Sequence, residues 1–115
     1  MAKKILVADE DGSIRTVISR ALSRSGYHVR STKSAADLWN WISDGEGDLL
    51  ITDVAMPNAN GLDLLSQINQ VRPKFPIIIL NAKSVALATT AENQHRNFDY
   101  LAKPFEPKEL VLRIQ

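Results

Sequence analysis

The run Leu49-Leu50-Ile51-Thr52-Asp53 decides the fold of this chain, because a short, mostly apolar segment closes on a carboxylate. Strands that are buried on both faces of a parallel sheet have this continuous apolar pattern. The same pattern recurs at Ile5-Leu6-Val7-Ala8-Asp9, and Ile77-Ile78-Ile79-Leu80 is a third run of residues that favour strands. The sequence therefore predicts three buried strands, two of which end at an aspartate.

Segments with helical spacing separate these strands. Ile14, Val17, Ile18, Ala21 and Leu22 form one apolar helical stripe, and Gly26 follows where that helix should end. The other predicted elements are a strand at 27–32, helices at 35–42, 61–71 and 85–94, a strand at 98–102, and a helix from Pro107. Parallel strands need crossover connections, so this alternation predicts an α/β fold, a doubly wound five-stranded parallel sheet with helices on both faces.

Composition excludes several classes of protein. The chain has 115 residues, 14 Lys and Arg, 13 Asp and Glu, and no cysteine. A net charge of +1 argues against direct binding of nucleic acid or of an anionic membrane. No apolar run approaches the roughly 20 residues that a membrane-spanning helix needs. We expect one cytoplasmic domain over residues 1–115, with the chain ending inside its last helix.

The strand ends carry the residues that point to chemistry. Asp9 and Glu10 follow the first strand, Asp53 follows the third, and Lys103 follows the fifth. In a doubly wound sheet, ligands bind beyond the carboxyl ends of the strands. Two carboxylates about 4 Å apart repel by about 4 kcal/mol at an effective dielectric near 20, so a cation is expected between them. Oxygen ligands without His or Cys favour Mg²⁺ or Mn²⁺ over zinc. Any one of these acids alone would indicate no more than a solvated loop.

The order and spacing of these motifs resemble those of the receiver domains of two-component response regulators. The resemblance covers essentially the whole chain, and the motifs that carry it are Asp9-Glu10, Asp53 with Met56-Pro57, Gly61, and Lys103-Pro104-Phe105. The stretch from Phe98 to Phe105 looks most like receivers that head NtrC-type transcriptional regulators. The resemblance implies a flavodoxin-like strand order of 2-1-3-4-5.

The resemblance also assigns roles to residues at the strand ends. It implies that Asp53 accepts a phosphoryl group from a sensor histidine kinase in a Mg²⁺-dependent reaction. The metal (Mg²⁺ or Mn²⁺) would be held by Glu10, Asp53 and the backbone carbonyl of Ala55. Asp9 would act mainly through a metal-bound water, and Lys103 would pair with a phosphoryl oxygen. Phosphoryl transfer depends on such cations placed around the transferred group.

The clearest departure from the family pattern is at the position after the fourth strand. Receivers usually carry Ser or Thr after the fourth strand, where this chain has Asn81. The amide of Asn81 can still donate a hydrogen bond to the phosphoryl group, with altered coupling, or it can merely cap the strand. Tyr100 matches an aromatic on the output surface, although an aromatic there also suits the core. The expected partners are a sensor kinase, an output domain in the same or another chain, and a second copy of this chain on phosphorylation.

Two other functions remain as alternatives. One is a pseudo-receiver, an interaction module that never carries phosphate; Asn81 favours it, whereas the acids and Lys103 argue against it. The other is a Mg²⁺-dependent phosphohydrolase of the haloacid-dehalogenase type. That chemistry needs a second aspartate two residues after the nucleophile, and Ala55 occupies the place. We therefore expect a switch that modifies itself and not an enzyme acting on external substrates.

Overall fold

Five short strands form one parallel sheet in the computed structural model of the chain. It describes residues 3–53, 61–80, 98–101 and 105–114, of which 61–65, 98 and 100 by their backbone alone. The strands are β1 (Lys4–Ala8), β2 (His28–Thr32), β3 (Leu49–Thr52), β4 (Ile77–Leu80) and β5 (Phe98–Leu101). Their order is β2-β1-β3-β4-β5, and every neighbouring pair is parallel. The predicted fold class and strand order are confirmed.

The described helices lie between the strands and after the last one. They are α1 (Gly12–Arg24), α2 (Ala35–Ser43), α3 (Gly61–Val71) and α4 (Pro107–Ile114). The helix predicted at 85–94 lies outside the described residues. Among the helices of the described ranges, none combines the length and the apolar character needed to cross a membrane.

The apolar run of β1 supplies both faces of the sheet, because successive side chains of a strand point to opposite sides. Ile5 and Val7 belong to one buried cluster, and Leu6 and Ala8 belong to the other. The buried helix residues in the first cluster are Ile18 and Leu22 of α1 and Leu110 of α4; those in the second are Leu38 and Ile42 of α2 and Ile68 of α3. Helices thus cover both faces, which leaves the strand ends as the place for a site.

Local signals set the ends of α1. The Asp11 side chain accepts a hydrogen bond from the backbone N–H of Ser13 at 2.8 Å, which is the usual way for an acid to cap a helix. At the other end, Gly26 has a φ of 92°, a left-handed conformation that glycine adopts without a steric cost. The capped start of α1 follows β1 after only three residues, so the acids between them form a tight turn.

The two tryptophans of α2 are more buried than their spacing predicts. Trp39 and Trp41 cannot share one helical face, so one of them should be exposed. Both are instead half-buried and pack against the cluster beneath α2. The Arg30 guanidinium lies 4.1 Å from the centre of the Trp41 ring, so the side chain of an edge strand covers the second tryptophan.

Candidate functional site

The two strand-end aspartates lie on neighbouring strands at the same level of the sheet. Ala8 of β1 and Thr52 of β3 are register partners, so Asp9 and Asp53 leave the sheet together. The backbone ladder continues through both residues. The Asp53 N–H donates to the Ala8 carbonyl at 3.0 Å, and the Asp9 N–H donates to the Thr32 carbonyl at 3.2 Å. The backbone of both aspartates is therefore held as firmly as that of the strands.

Both carboxylates are removed from solvent. Asp9 is 1% exposed and Asp53 is 8% exposed, values that charged residues rarely reach unless they are paired or hydrogen-bonded. One partner is the backbone N–H of Asp11, which donates to Asp9 Oδ1 at 2.9 Å. Solvated loop acids would not be buried in this way. The two aspartates are built into the fold.

Glu10 lies between these buried groups in a different environment. It is exposed and occupies the bend between β1 and α1. On its two sides, Asp9 accepts from the Asp11 N–H and Asp11 accepts from the Ser13 N–H, so the turn is a chain of side-chain-to-backbone bonds. Glu10 thus projects from an ordered turn beside the aspartates.

The donor chemistry of this edge fits a hard dication, for which carboxylate oxygens are preferred ligands. Within residues 3–53, 61–80, 98–101 and 105–114, no three acidic or histidine side chains are grouped closely enough to hold a metal by themselves. Asp9 and Asp53 would thus need further oxygens, from Glu10 after a small movement, from backbone, or from water. The predicted carbonyl ligand, that of Ala55, lies outside the described residues. The predicted metal site stays a prediction.

Three other predicted site residues stand in or just after β4 and β5. Asn81 directly follows β4, and Lys103 comes two residues after β5; both lie outside the described residues. Tyr100 lies within β5 as the register partner of Ile79, and the structure describes its backbone. The residues that share one level of the sheet are Ala8, Thr52, Ile79 and Tyr100. β4 and β5 therefore end at the same edge of the sheet as β1 and β3, the edge that carries Asp9 and Asp53. Asn81 and Lys103 follow β4 and β5 in the sequence.

The sequence places Arg15 beside these acids but does not show which atom it contacts. The guanidinium of Arg15, in the first turn of α1, donates a hydrogen bond to the backbone carbonyl of Asp9. The sequence does carry one signal for this contact, in the composition of the first turn of α1. Acidic residues are favoured in the first turn of a helix, and α1 has none there.

Comparison with known proteins agrees with this geometry. The family model described as the response regulator receiver domain matches residues 5–115. The DNA-binding transcriptional regulator NtrC of a Bradyrhizobium strain is 50% identical over 110 residues, which are 96% of this chain and 23% of that protein. NtrC of Azospirillum brasilense is 49% identical over 114 residues, or 99% of this chain and 24% of that protein. The chain thus spans about a quarter of the length of these relatives.

Solved structures agree as well. The apo receiver domain of nitrogen regulatory protein C, solved in solution, superposes with a TM-score of 0.86 at 36% identity, covering 97% of this chain and 90% of that one. The chemotaxis regulator CheY4 of Vibrio cholerae shares the fold with a TM-score of 0.88 at 24% identity, over 100% of this chain and 98% of that one. With its parallel sheet and its two buried strand-end aspartates, the chain belongs to the response regulator receiver domains of two-component signalling, and to the type found in NtrC regulators.

Proposed function

We propose that Asp53 accepts a phosphoryl group from the phosphohistidine of a sensor histidine kinase. A carboxylate oxygen of Asp53 attacks phosphorus, the P–N bond of the donor breaks, and the imidazole keeps the electron pair and takes up a proton. The observation that carries the proposal is the pair of carboxylates at adjacent strand ends, 1% exposed at Asp9 and 8% exposed at Asp53. Of the two, Asp53 is the match to the family's phosphoacceptor.

The negative charge at the site needs a counter-charge before a phosphoryl group can approach. Receiver domains in general are Mg²⁺-dependent, and a bound Mg²⁺ (or Mn²⁺) supplies charge neutralisation at the transferring oxygens. Glu10, Asp53 and the backbone carbonyl of Ala55 would hold the ion, with Asp9 acting through a bound water. The ordered turn from Asp9 to Asp11 supports this assignment, because its hydrogen bonds hold the Asp9 side chain and the backbone that follows Glu10.

Lys103 and Asn81 complete the proposed site. Lys103 pairs with one phosphoryl oxygen, and the Asn81 side-chain amide donates to another where most receivers use a hydroxyl. The register of β3, β4 and β5 supports both roles, since Thr52, Ile79 and Tyr100 share one level and all three strands run toward the same edge. The larger, planar amide of Asn81 alters the coupling between phosphorylation and the output surface.

A docking place for the kinase adjoins the site. An open groove of about 790 Å³ runs along α1 from the turn that holds the acids. Thr16, Val17 and Arg20 are among its lining residues, and Val17 is 46% exposed, which is high for an aliphatic side chain on a helix. An apolar side chain beside hydroxyl and guanidinium groups suits a protein partner. A kinase domain seated there would adjoin the start of α1, which directly follows the turn from Asp9 to Asp11.

The output of the domain is the second half of the proposal. The surface around Tyr100 changes on phosphorylation and contacts an output domain, in the same or another chain, or a second copy of this domain. Relatives described as DNA-binding transcriptional regulators support control of transcription through such an output domain, without direct nucleic-acid binding by residues 1–115. The domain acts in the cytoplasm, without membrane contact, as a switch that modifies itself and not as an enzyme on external substrates.

The test is the intact mass of the protein after incubation with acetyl phosphate and Mg²⁺. The wild-type chain should gain the mass of one phosphoryl group, and Asp53→Asn should gain none. Asp44→Asn is the matched control, because Asp44 is an exposed aspartate at the end of α2. That variant should be phosphorylated as the wild type is.

Two outcomes would refute the assignment. An adduct on Asp53→Asn equal to that on the wild type would place the phosphoryl group on another residue. No adduct on the wild type with either acetyl phosphate or a phosphorylated kinase domain would indicate the pseudo-receiver, an interaction module that works without phosphate.

A further inference from the structure

Arg15 reaches backward from α1 to the turn that carries the acids. It is the fourth residue of the helix, and its guanidinium donates to the carbonyl of Asp9, six residues earlier. A Cβ placed on Gly12 would lie 3.4 Å from Arg15 Nη2, so the guanidinium lies close over the helix start. Helical side chains tilt toward the N-terminus, which favours this backward reach.

The bond to the Asp9 carbonyl orients the next residue. The Asp9 carbonyl and the Glu10 N–H belong to one planar peptide unit, so holding the carbonyl sets the plane from which Glu10 leaves. Asp9 is also held by its N–H, which donates to Thr32, and by its carboxylate, which accepts from Asp11. Exposed Glu10, in contrast, belongs to neither β1 nor α1. Arg15 thus holds the Asp9–Glu10 peptide through its carbonyl.

Helix stability gives no reason for an arginine at this position. The N-terminus of a helix carries partial positive charge, so a cation in the first turn is unfavourable by a few tenths of a kcal/mol or more. Residues that break such a local rule tend to serve a site. Here the local disadvantage coincides with a hydrogen bond to the backbone of Asp9, a buried carboxylate of the proposed metal site.

We infer that Arg15 is a positioning residue for metal binding: by holding the Asp9 carbonyl it keeps Glu10 oriented to bind a divalent cation and Asp9 oriented to act on it through a bound water. The inference rests on the proposed function, since it assumes that these acids bind the ion. It assigns Arg15 no contact with the ion or with the phosphoryl group.

The test measures Mn²⁺ affinity by the electron paramagnetic resonance signal of the free ion, with no phosphoryl donor present. Arg15→Met should raise the dissociation constant about tenfold, the lower end of what losing a hydrogen-bond partner behind a metal ligand costs. Arg15→Lys keeps a cationic donor and should fall between Arg15→Met and the wild type. Arg24→Met, at the exposed far end of α1, should bind as the wild type does.

Two further measurements separate positioning from general damage. The phosphorylation rate of Arg15→Met at saturating Mg²⁺ should stay within about twofold of the wild-type rate, since only binding is weakened. In the metal-free protein, amide exchange at Asp11 should quicken in Arg15→Met, because the turn that holds its N–H loosens.

The inference and the proposed function fail in different ways. Wild-type protein that binds no Mn²⁺ would overturn both. Wild-type protein that binds Mn²⁺, with Arg15→Met equal to it or tighter, would overturn the role of Arg15 alone. Equal losses of Mn²⁺ affinity in Arg15→Met and Arg24→Met would attribute the effect to net charge. That result would also overturn the role of Arg15. If Arg15→Met does not fold, Arg15→Lys decides the matter: weaker Mn²⁺ binding than the wild type with faster exchange at Asp11 supports the inference, and wild-type affinity with unchanged exchange at Asp11 overturns it.

Discussion

The two ends of the sheet use charge in opposite ways. At the amino end, the Glu46 carboxylate forms ion pairs with two basic side chains. Its Oε1 lies 3.3 Å from Lys4 Nζ, and its Oε2 lies 2.5 Å from Arg30 Nη1. At the carboxyl end, Asp9 and Asp53 lie on adjacent strands with like charges at one level. Opposite charges at a half-exposed edge contribute modestly to stability, whereas buried like charges oppose it. The amino end is arranged for folding, and the carboxyl end carries the acids of the proposed cation site.

The amino end is also held by close contacts between distant residues. Arg72 donates to the backbone carbonyls of Glu46 at 2.5 Å and Gly47 at 2.8 Å, and its guanidinium lies 3.9 Å from the centre of the Phe75 ring. Gly47 has a φ of 86°, and a Cβ there would lie 2.7 Å from Leu6 Cγ. Substitutions at this end should therefore change stability and leave phosphorylation unchanged.

The largest stability effect is expected for Gly47→Ala. A left-handed backbone costs a non-glycine residue about 1–2 kcal/mol, and forcing a methyl group against Leu6 adds about 1–3 kcal/mol. Urea denaturation should show a loss of about 2–5 kcal/mol in the free energy of unfolding. Gly45→Ala is the control, because Gly45 has a φ of 85° but no atom within 4 Å of the added Cβ. Equal losses of unfolding free energy in the two variants would show that the clash with Leu6 does not contribute to the destabilisation.

An intermediate effect is expected for Arg72→Met. The change removes two charge-assisted hydrogen bonds and the contact with Phe75, and it should lower the free energy of unfolding by about 2 kcal/mol. Lys74→Met removes the same charge from an exposed neighbour and should stay within about 0.5 kcal/mol of the wild type. A loss in Lys74→Met as large as that in Arg72→Met would attribute the effect to net charge.

The smallest effect is expected for Glu46→Gln. Lys4 and Arg30 are 43% and 46% exposed in their side chains, so both ion pairs are screened by solvent. The free energy of unfolding should fall by less than about 1 kcal/mol, and the difference from the wild type should shrink as salt is raised. A loss that grows with salt would contradict an electrostatic origin. Phosphorylation by acetyl phosphate should be unchanged.

The sequence predicts the elements that local chemistry determines. The strands at Leu49–Thr52 and Ile77–Leu80 occur where the apolar runs predict them, because a continuous run of branched residues suits burial on both faces. The end of α1 near Gly26 follows from glycine's freedom at positive φ. Asp9 and Asp53 could be placed at one edge because parallel strands end on the same side.

Long-range contacts could not be predicted in this way. Arg15 and Arg72 have long side chains that select backbone carbonyls, and only the folded chain shows which carbonyls are within reach. The need for glycine at position 47 depends on Leu6, which is distant in sequence. Trp41 is covered by Arg30 of an edge strand, a contact that helical periodicity cannot indicate.

The most direct test of the contrast between the two ends is the free energy of unfolding of the wild type and of Asp53→Asn, each with and without Mg²⁺. An ion that binds only the folded state stabilises it, by about 1.4 kcal/mol at ten times its dissociation constant. We predict this gain for the wild type and for Glu46→Gln, and a much smaller gain for Asp53→Asn. Equal stabilisation of wild type and Asp53→Asn, or none in the wild type, would contradict a cation-receiving carboxyl end.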